Sequence, residues 1–431
     1  MKILIKNVKL PEEYGFGNAN VSVEILDRVF GAIGTKAPLA EQEYDRVIDG
    51  RENLLIPGLY NTHCHAAMTI FRGFGEDLPL DRWLHEKIFP AEDRLTAESV
   101  RAGTELAIAE MLANGIVSFS DMYMFEDVVA KAVLDTGIKA NVSRSIVSFD
   151  DGDPSVDHRF LESRDLVSAF HGADDGRLLV DMSLHAEYTN TERMTRFIAE
   201  YAATNGLGVQ VHISETDKEH QECMGRRGGR SPIEFFRDCG LFEARTTAAH
   251  CVWVTESDME IMRENRVAVA HNPVSNLKLG SGVMPMRKML DRGVLVTLGT
   301  DGAASNNNLD VLKEMQYAIL LGKGISRAPE SVVAGEMLPI ATVNGALAQG
   351  RENCGRIKTG YRADAVLIDL DAVNTIPSYG YETTLLYSAR GSDVKMTMVD
   401  GRVLYENGAY KTIDIEKLKY QAKDVIKHYF D

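Results

Sequence analysis

No run of this sequence approaches the ~20 consecutive apolar residues that a bilayer-spanning helix requires. The opening MKILIKNVKLPEE has only a short apolar stretch before Pro11, Glu12 and Glu13, too short for the apolar segment of a secretion signal. Cysteine is sparse. Cys64, Cys223, Cys239, Cys251 and Cys354 are scattered, odd in number and without a CxxC pair, so free thiols in a reducing, cytoplasmic setting are expected. Positive charge is in deficit: 47 Lys and Arg stand against 63 Asp and Glu, a net −16. That removes the basic footprint of a nucleic-acid binder, and acidity otherwise predicts solubility and names no partner. There is no GxxxxGK[ST] phosphate loop and no GxGxxG following a strand. The H-x-E with P-C-x-x-C signature of cytidine-deaminase zinc sites is also missing, as are low-complexity tracts and short-period repeats.

What remains is ordinary globular material, 45% hydrophobic and 7% aromatic over 431 residues, ample for a large core. Short apolar, β-branched runs recur: Leu54 to Asn61, Gly115 to Asp121, Ile138 to Arg144, Leu178 to His185, Gly208 to His212, Thr246 to His250, Val267 to Asn272 and Val294 to Asp301. Each has the length and near-continuous apolarity of a buried parallel strand. Amphipathic stretches such as Ala97 to Ala113 and Met194 to Ala203 lie between them. Eight strands alternating with helices predict an α/β fold, a (β/α)₈ barrel. The flanks differ, with alternating strand patterns and the turn signals Asp400-Gly401 and Asn407-Gly408. The expected organisation is therefore a catalytic barrel over residues 57–360. A small β-sandwich domain would be assembled from 1–56 and 361–431, with a C-terminal helix from about Ile415 to Tyr429.

The polar residues of the expected barrel strands sit at one end. The first run leads to His63 and His65, the fourth to His185, the fifth to His212, the sixth to His250, the seventh to His271 and the eighth to Asp301. In such a barrel the C-terminal strand ends form the catalytic face, so these residues are expected to converge. His63 and His65 are two apart on a strand and share a side. Alone, a His-x-His arises often by chance, His212 reads as a satisfied core histidine, and Asp301 as a turn or capping residue helped by Gly302. Gathered at the strand ends of one face, they read as a ligand set. Three histidines and a carboxylate suit one borderline divalent ion, zinc first, iron or manganese next, with a position left for water. No lysine occurs from Leu178 to Tyr188, where a binuclear site would have its bridging residue, so one metal per chain is expected.

Glu215, three residues after His212, is placed to move protons at the same mouth. The bland reading is an acidic residue in the first turn of a helix. His250 could polarise the water or stabilise a tetrahedral intermediate; otherwise it is a ligand or a packed histidine. The segment after His271, with Asn272, Ser275 and Asn276, is expected to line the pocket and orient groups. The glycines of LKLGSG read as loop flexibility.

PGLYNTHCHAAMTIFRG, HISET, AHCVWV, VAHNPVSNLKLGSG and LGTDGAASNNNLD together resemble the amidohydrolase superfamily. The match is to its branch of S-adenosylhomocysteine and methylthioadenosine deaminases, with chlorotriazine hydrolases and guanine-type deaminases as cousins, and it runs from about residue 2 to 410. The resemblance implies that His63, His65, His212 and Asp301 bind the metal. It implies that Glu215 carries a proton from the metal water to the purine ring nitrogen, that His250 assists attack at C6, and that Asp301 passes a proton toward the leaving ammonia. Trp83 and Glu92 fall where nucleoside-specific members carry a Trp and a Glu. Glu92 would accept both ribose hydroxyls, as a carboxylate can, and Trp83 would line the pocket; Arg144 and His185 match further substrate contacts. Each has a plainer reading: Trp83 as core, Glu92 as a solvated helix residue, Arg144 as a surface ion-pair partner. One departure stands out. Relatives usually read HAPYT or HSPYT around His185, whereas this chain has His185-Ala186-Glu187-Tyr188-Thr189.

The expected function is hydrolytic deamination of an adenosine-type nucleoside: S-adenosylhomocysteine, methylthioadenosine, 5′-deoxyadenosine or adenosine. The acidic stretch Ser148 to Asp157 disfavours a substrate bearing a carboxylate. The first alternative keeps the metal and changes the ring to a guanine, pterin or triazine type. The second, a non-catalytic barrel scaffold, conflicts with the complete set of ligands and proton carriers. The partner is then a small-molecule nucleoside, with no nucleic acid and no membrane, and a homo-oligomer remains open.

Overall fold

A computed structural model describes residues 1–430. The N-terminal segment lays down β1 (Lys2–Val8), β2 (Val21–Leu26), β3 (Val29–Gly34), β4 (Arg46–Asp49) and β5 (Asn53–Pro57). The first four form one sheet, ordered β3-β2-β1-β4, with β1 and β4 parallel.

The chain then enters the barrel through Gly58. A β-carbon at this position would lie 2.4 Å from the Val117 methyls, so the close approach of the two backbones requires glycine. The barrel strands are β6 (Leu59–Cys64), β7 (Ile116–Tyr123), β8 (Lys139–Arg144), β9 (Leu178–Val180), β10 (Met182–Leu184), β11 (Val209–Ile213), β12 (Thr246–His250), β13 (Ala268–His271) and β14 (Leu295–Leu298). All pairings among them are parallel. Every residue of β6, β7, β11, β12 and β13 is buried, as strands covered on both faces must be. The ring closes from β14 to β6 through Thr62 Oγ1 to the Leu298 carbonyl (2.8 Å), Thr300 N–H to Asn61 Oδ1 (2.9 Å) and Asp301 N–H to the His63 carbonyl (3.0 Å).

Two strand expectations change. The run Leu54 to Asn61 is not one barrel strand: Gly58 divides it, and its first half joins the other sheet. The fourth strand is split at Asp181, with β9 pairing β8 and β10 pairing β11. The buried Asp181 carboxylate holds both sides of the break, accepting from Asn141 Nδ2 (2.9 Å) and Arg245 Nη2 (2.7 Å).

After the barrel come β15 (Ala365–Asp369), β16 (Val394–Val399), β17 (Arg402–Glu406) and β18 (Ala409–Tyr410). They take up β5 in a second sheet, β18-β17-β16-β15-β5. The two sheets share a core in which Ile3, Ile5, Val23 and Ile25 meet Leu55, Ala365, Leu367, Met396 and Met398. The period-2 spacing is that of one strand face. The final helix, Ile415–Phe430, leaves this sandwich and packs on the barrel helix Ala97–Ala113. Among the described residues no helix is long and apolar enough to cross a membrane.

Candidate metal and catalytic site

The strand ends bring five polar side chains, His63, His65, His212, His250 and Asp301, to one mouth. His63 is the centre: its ring lies 4.9 Å from His65, 4.8 Å from His212 and 5.5 Å from His250, centroid to centroid. Asp301 Oδ1 is 3.5 Å from His63 Nε2 and 3.2 Å from His65 Nε2. Two overlapping groups of ligand-type atoms result, each with its atoms within 4.8 Å of one another: His63 with His65 and Asp301, and His63 with His212 and His250. The expected set His63, His65, His212 and Asp301 is thus brought together, and His250 stands as close to His63 and His212 as a ligand would.

The rings are aimed by their outer nitrogens. His65 Nδ1 bonds the Met122 carbonyl (2.6 Å) and His212 Nδ1 the His185 carbonyl (2.7 Å), so each Nε2 faces inward. This is the orienting pattern of metal-ligating histidines. His63 Nε2 is fully buried without a hydrogen-bond partner, an arrangement that costs free energy unless something binds there. Asp301 is held by Ser275 Oγ (2.6 Å) and Ser305 Oγ (2.8 Å) on Oδ2, and by the Gly302 N–H (2.8 Å) on Oδ1. Burial opposes charge on both Asp301 and His65, but their mutual attraction wins. The carboxyl is held well below its ordinary range and the imidazole is lifted to about 9. Burial lowers His63 to about 4 and keeps His212 well below its ordinary value. His63 and His212 are neutral, inward-facing imidazoles beside a charged carboxylate, and His65 gives up its proton as a cation takes its place beside Asp301; this is the donor set a divalent ion requires, and the residues present fit one.

Glu215 sits beside this cluster, with Oε2 3.8 Å from His250 Nε2 and Oε1 accepting from Ser281 Oγ at 3.1 Å. Burial raises its carboxyl. Its main chain is fixed by Glu219, whose two carboxylate oxygens accept the N–H groups of Ser214 and Glu215 at 2.8 Å each. His250 is aimed by Asn276 Oδ1 at 2.8 Å on Nδ1. Asn276 and Ser275 therefore orient other groups, as the segment after His271 was expected to. Ser281, Ser305 and Glu219 carried no sequence signal. LKLGSG read only as a flexible loop, yet its serine touches Glu215.

The outer residues are less uniform. The His185 ring lies 5.0 Å from His212 and burial lowers it to about 4. Glu92 is beside Tyr123 and His65, and burial lifts its carboxyl to about 7. Trp83 is 6% exposed within the main apolar cluster. Arg144 is engaged at the rim, with Nε on Glu162 Oε2 (2.6 Å) and Nη1 on the Ser145 carbonyl (2.6 Å). Glu187, the departure from the usual proline, is fully buried and grips two guanidinium groups, Arg226 Nη2 at 2.5 Å and Arg227 Nε at 2.7 Å.

A closed (β/α)₈ barrel with a histidine-rich, carboxylate-bearing mouth defines the class as barrel hydrolases. The model of the amidohydrolase family matches residues 54–404, and the chain belongs to that family. The chain is 44% identical over 382 residues to a 5-methylthioadenosine/S-adenosylhomocysteine deaminase of Dictyoglomus thermophilum, covering 89% of each chain. It is 40% identical over 428 residues to a 5′-deoxyadenosine deaminase of Methanosarcina acetivorans, covering 98% of this chain and 96% of that one. Among solved structures, a zinc-bound adenosine deaminase from Xanthomonas campestris superposes with a TM-score of 0.92 at 30% identity, covering 99% and 98%.

Proposed function

We propose that this protein is a divalent-metal-dependent deaminase that replaces the 6-amino group of an adenosine-type nucleoside with oxygen, releasing ammonia. The observation that carries the reading is the buried His63 Nε2, without a hydrogen-bond partner and ringed by His65, His212 and Asp301, with Glu215 alongside. The names of the relatives and the zinc in the Xanthomonas enzyme point the same way. We assign His63, His65, His212 and Asp301 as ligands of one ion, zinc before iron or manganese.

When bound, such an ion supplies a water acidified toward pH 7. The rest falls to the chain. Glu215, its carboxyl raised by burial, accepts a proton and delivers it to the ring nitrogen next to C6. His250 Nε2, aimed by Asn276, steadies the attacking oxygen. Asp301 passes a proton to the departing amine, so that water and the nucleoside become the 6-oxo product and ammonia. Glu92 accepts the two ribose hydroxyls, Trp83 closes the apolar side of the pocket, and Arg144 and His185 face the substrate from the ends of the third and fourth barrel strands, respectively. Residues 57–360 form the catalytic domain in this reading, with 1–56 and 361–431 as its β-sandwich support. The five free, buried cysteines fit work in the cytoplasm.

Among nucleosides, the rim favours an uncharged 5′ group. Arg144 is already bound to Glu162, and Asp150, Asp151 and Asp153 border the same loop. Methylthioadenosine, 5′-deoxyadenosine and adenosine should then outrun S-adenosylhomocysteine. The test is one panel of zinc-loaded protein with these four compounds and guanine, read by ammonia release, with His212→Ala and Glu215→Gln as inactive controls. Turnover of guanine alone would replace the nucleoside reading with a free-base one, and a preference for S-adenosylhomocysteine would reject the rim argument.

A further inference from the structure

Residues Leu80–Glu92 form one helical segment over the mouth, but its register is not uniform. Leu80–Trp83 is α, Leu84–Ile88 is a π-turn with the Phe89 N–H bonding the Leu84 carbonyl, and Phe89–Glu92 is α again. A π-turn amounts to one extra residue accommodated in an α-helix. The cause is local: Pro90 has no N–H and its ring crowds the carbonyl four residues earlier, here Glu86, which works against an α register running through it. The burial pattern follows the slip. Trp83 is 6% exposed, the next fully inward position is Ile88 at 1%, and His85, Glu86 and Lys87 all face solvent.

Trp83 and Glu92 are nine positions apart. At 3.6 residues per turn that is about two and a half turns, which would set them on opposite faces of a regular helix. Both nonetheless face inward, Trp83 into the apolar cluster and Glu92 toward His65 and Tyr123. With the extra residue absorbed, the separation is equivalent to eight positions, roughly 2.2 turns, which narrows the angle between the two side chains from about 180° to about 80° and lets both face inward. We propose that Pro90, by holding the Leu84–Ile88 turn open, is the positioning residue that turns Glu92 into the mouth and so sets recognition of the ribose hydroxyls. This rests on the assignment of Glu92 to ribose made above.

The experiment compares kcat/KM for adenosine and 2′-deoxyadenosine in the zinc-loaded full chain, for wild type, Pro90→Ala, Pro90→Ala with Glu86 deleted, and Glu92→Ala. The wild type should favour adenosine by about 10- to 100-fold, the worth of a hydrogen bond to a charged acceptor. Pro90→Ala should lose most of that preference. Deleting Glu86 in the same background should restore it, because a regular helix one residue shorter returns Glu92 to the same face. A general loss of stability would move both substrates together and leave the ratio unchanged. A wild-type ratio in Pro90→Ala, alongside a collapsed ratio in Glu92→Ala, overturns the proposal, as does a folded deletion variant that fails to recover. An unchanged ratio in Glu92→Ala overturns the ribose assignment itself, and the proposal with it.

Discussion

Glu92 shows how one side chain ties stability to recognition. Burial lifts its carboxyl to about 7, above the ordinary glutamate value near 4.5. A group raised in the folded state contributes most to stability below its unfolded value, and that contribution is lost as pH rises through the folded value. The penalty for ionising Glu92 therefore builds as pH rises from about 4.5 to 7 and stands in full above that, yet only the ionised form offers its full acceptor capacity to two hydroxyls. KM for adenosine should rise as pH falls below about 7, while Glu92→Gln shows a flat KM over the same range. Thermal melts should show Glu92→Gln gaining on the wild type as pH rises from 4.5 to 8, with the two converging at low pH. A pH-independent wild-type KM would remove Glu92 from substrate binding. At this scale the sequence exposed the groups at strand ends, since His63, His65, His212 and Asp301 converge by barrel geometry alone. It concealed Ser281, Ser305 and Glu219, whose contacts depend on how loops and helix starts fold back over the mouth.

Among the elements, the helix Asp217–Arg226 is gripped at both ends by buried carboxylates. At its start Glu219 fixes the Ser214–Glu215 turn, in which Ser214 takes a left-handed φ of 50°. At its end Arg226 and Arg227 hold Glu187, next to Tyr188 and two residues from His185. The helix thus links the loop carrying Glu215 to the loop carrying His185. Glu187→Ala should lower stability by about 1–3 kcal/mol, less than for a fully buried pair because the two arginine side chains are 40% and 20% exposed and can rehydrate. Urea titration would measure it, and a loss below a few tenths of a kcal/mol would make the clamp incidental. The family pattern marked Glu187 as a departure, but its partners lie about forty residues away and no local pattern names them. Ala97–Ala113 was legible as an amphipathic stretch, and in the structure Thr96 caps it. The Leu80–Glu92 segment was not, because a register slip leaves no helical period to read. Gly58 and Asp181 likewise broke runs that were apolar throughout, where composition alone gives no boundary.

For the whole molecule, the two ends of the barrel do different work. The mouth holds the inward-facing donors, so a bound divalent ion should stabilise the fold by mass action. Chelation should lower the melting temperature and abolish deamination, and zinc should restore both; an unchanged melt after verified metal removal would mean that the removed ion was not held at the mouth. The opposite end carries the joint to the β-sandwich. Lys139, at the start of β8, is 2% exposed and bonds Asp364 Oδ2 at 2.5 Å and Asp400 Oδ1 at 2.7 Å, from the beginning and end of the segment spanning β15 and β16. Burial would raise the Asp364 carboxyl, but Lys139 beside it outweighs that and holds it below its ordinary range. Lys139→Met would leave two buried carboxylates facing each other with only the more distant Arg362, 3.8 Å from Asp400 Oδ1, and Arg351 to offset them, a change that costs about 3–5 kcal/mol when one partner of a buried pair is removed. Conserved chemistry at the strand starts of such barrels serves stability, while the strand ends serve catalysis. Lys139→Met should therefore melt far earlier, while the fraction that remains folded keeps the wild-type KM and kcat. A variant that melts normally, or one that stays folded and loses turnover, would show that the joint reaches the mouth after all.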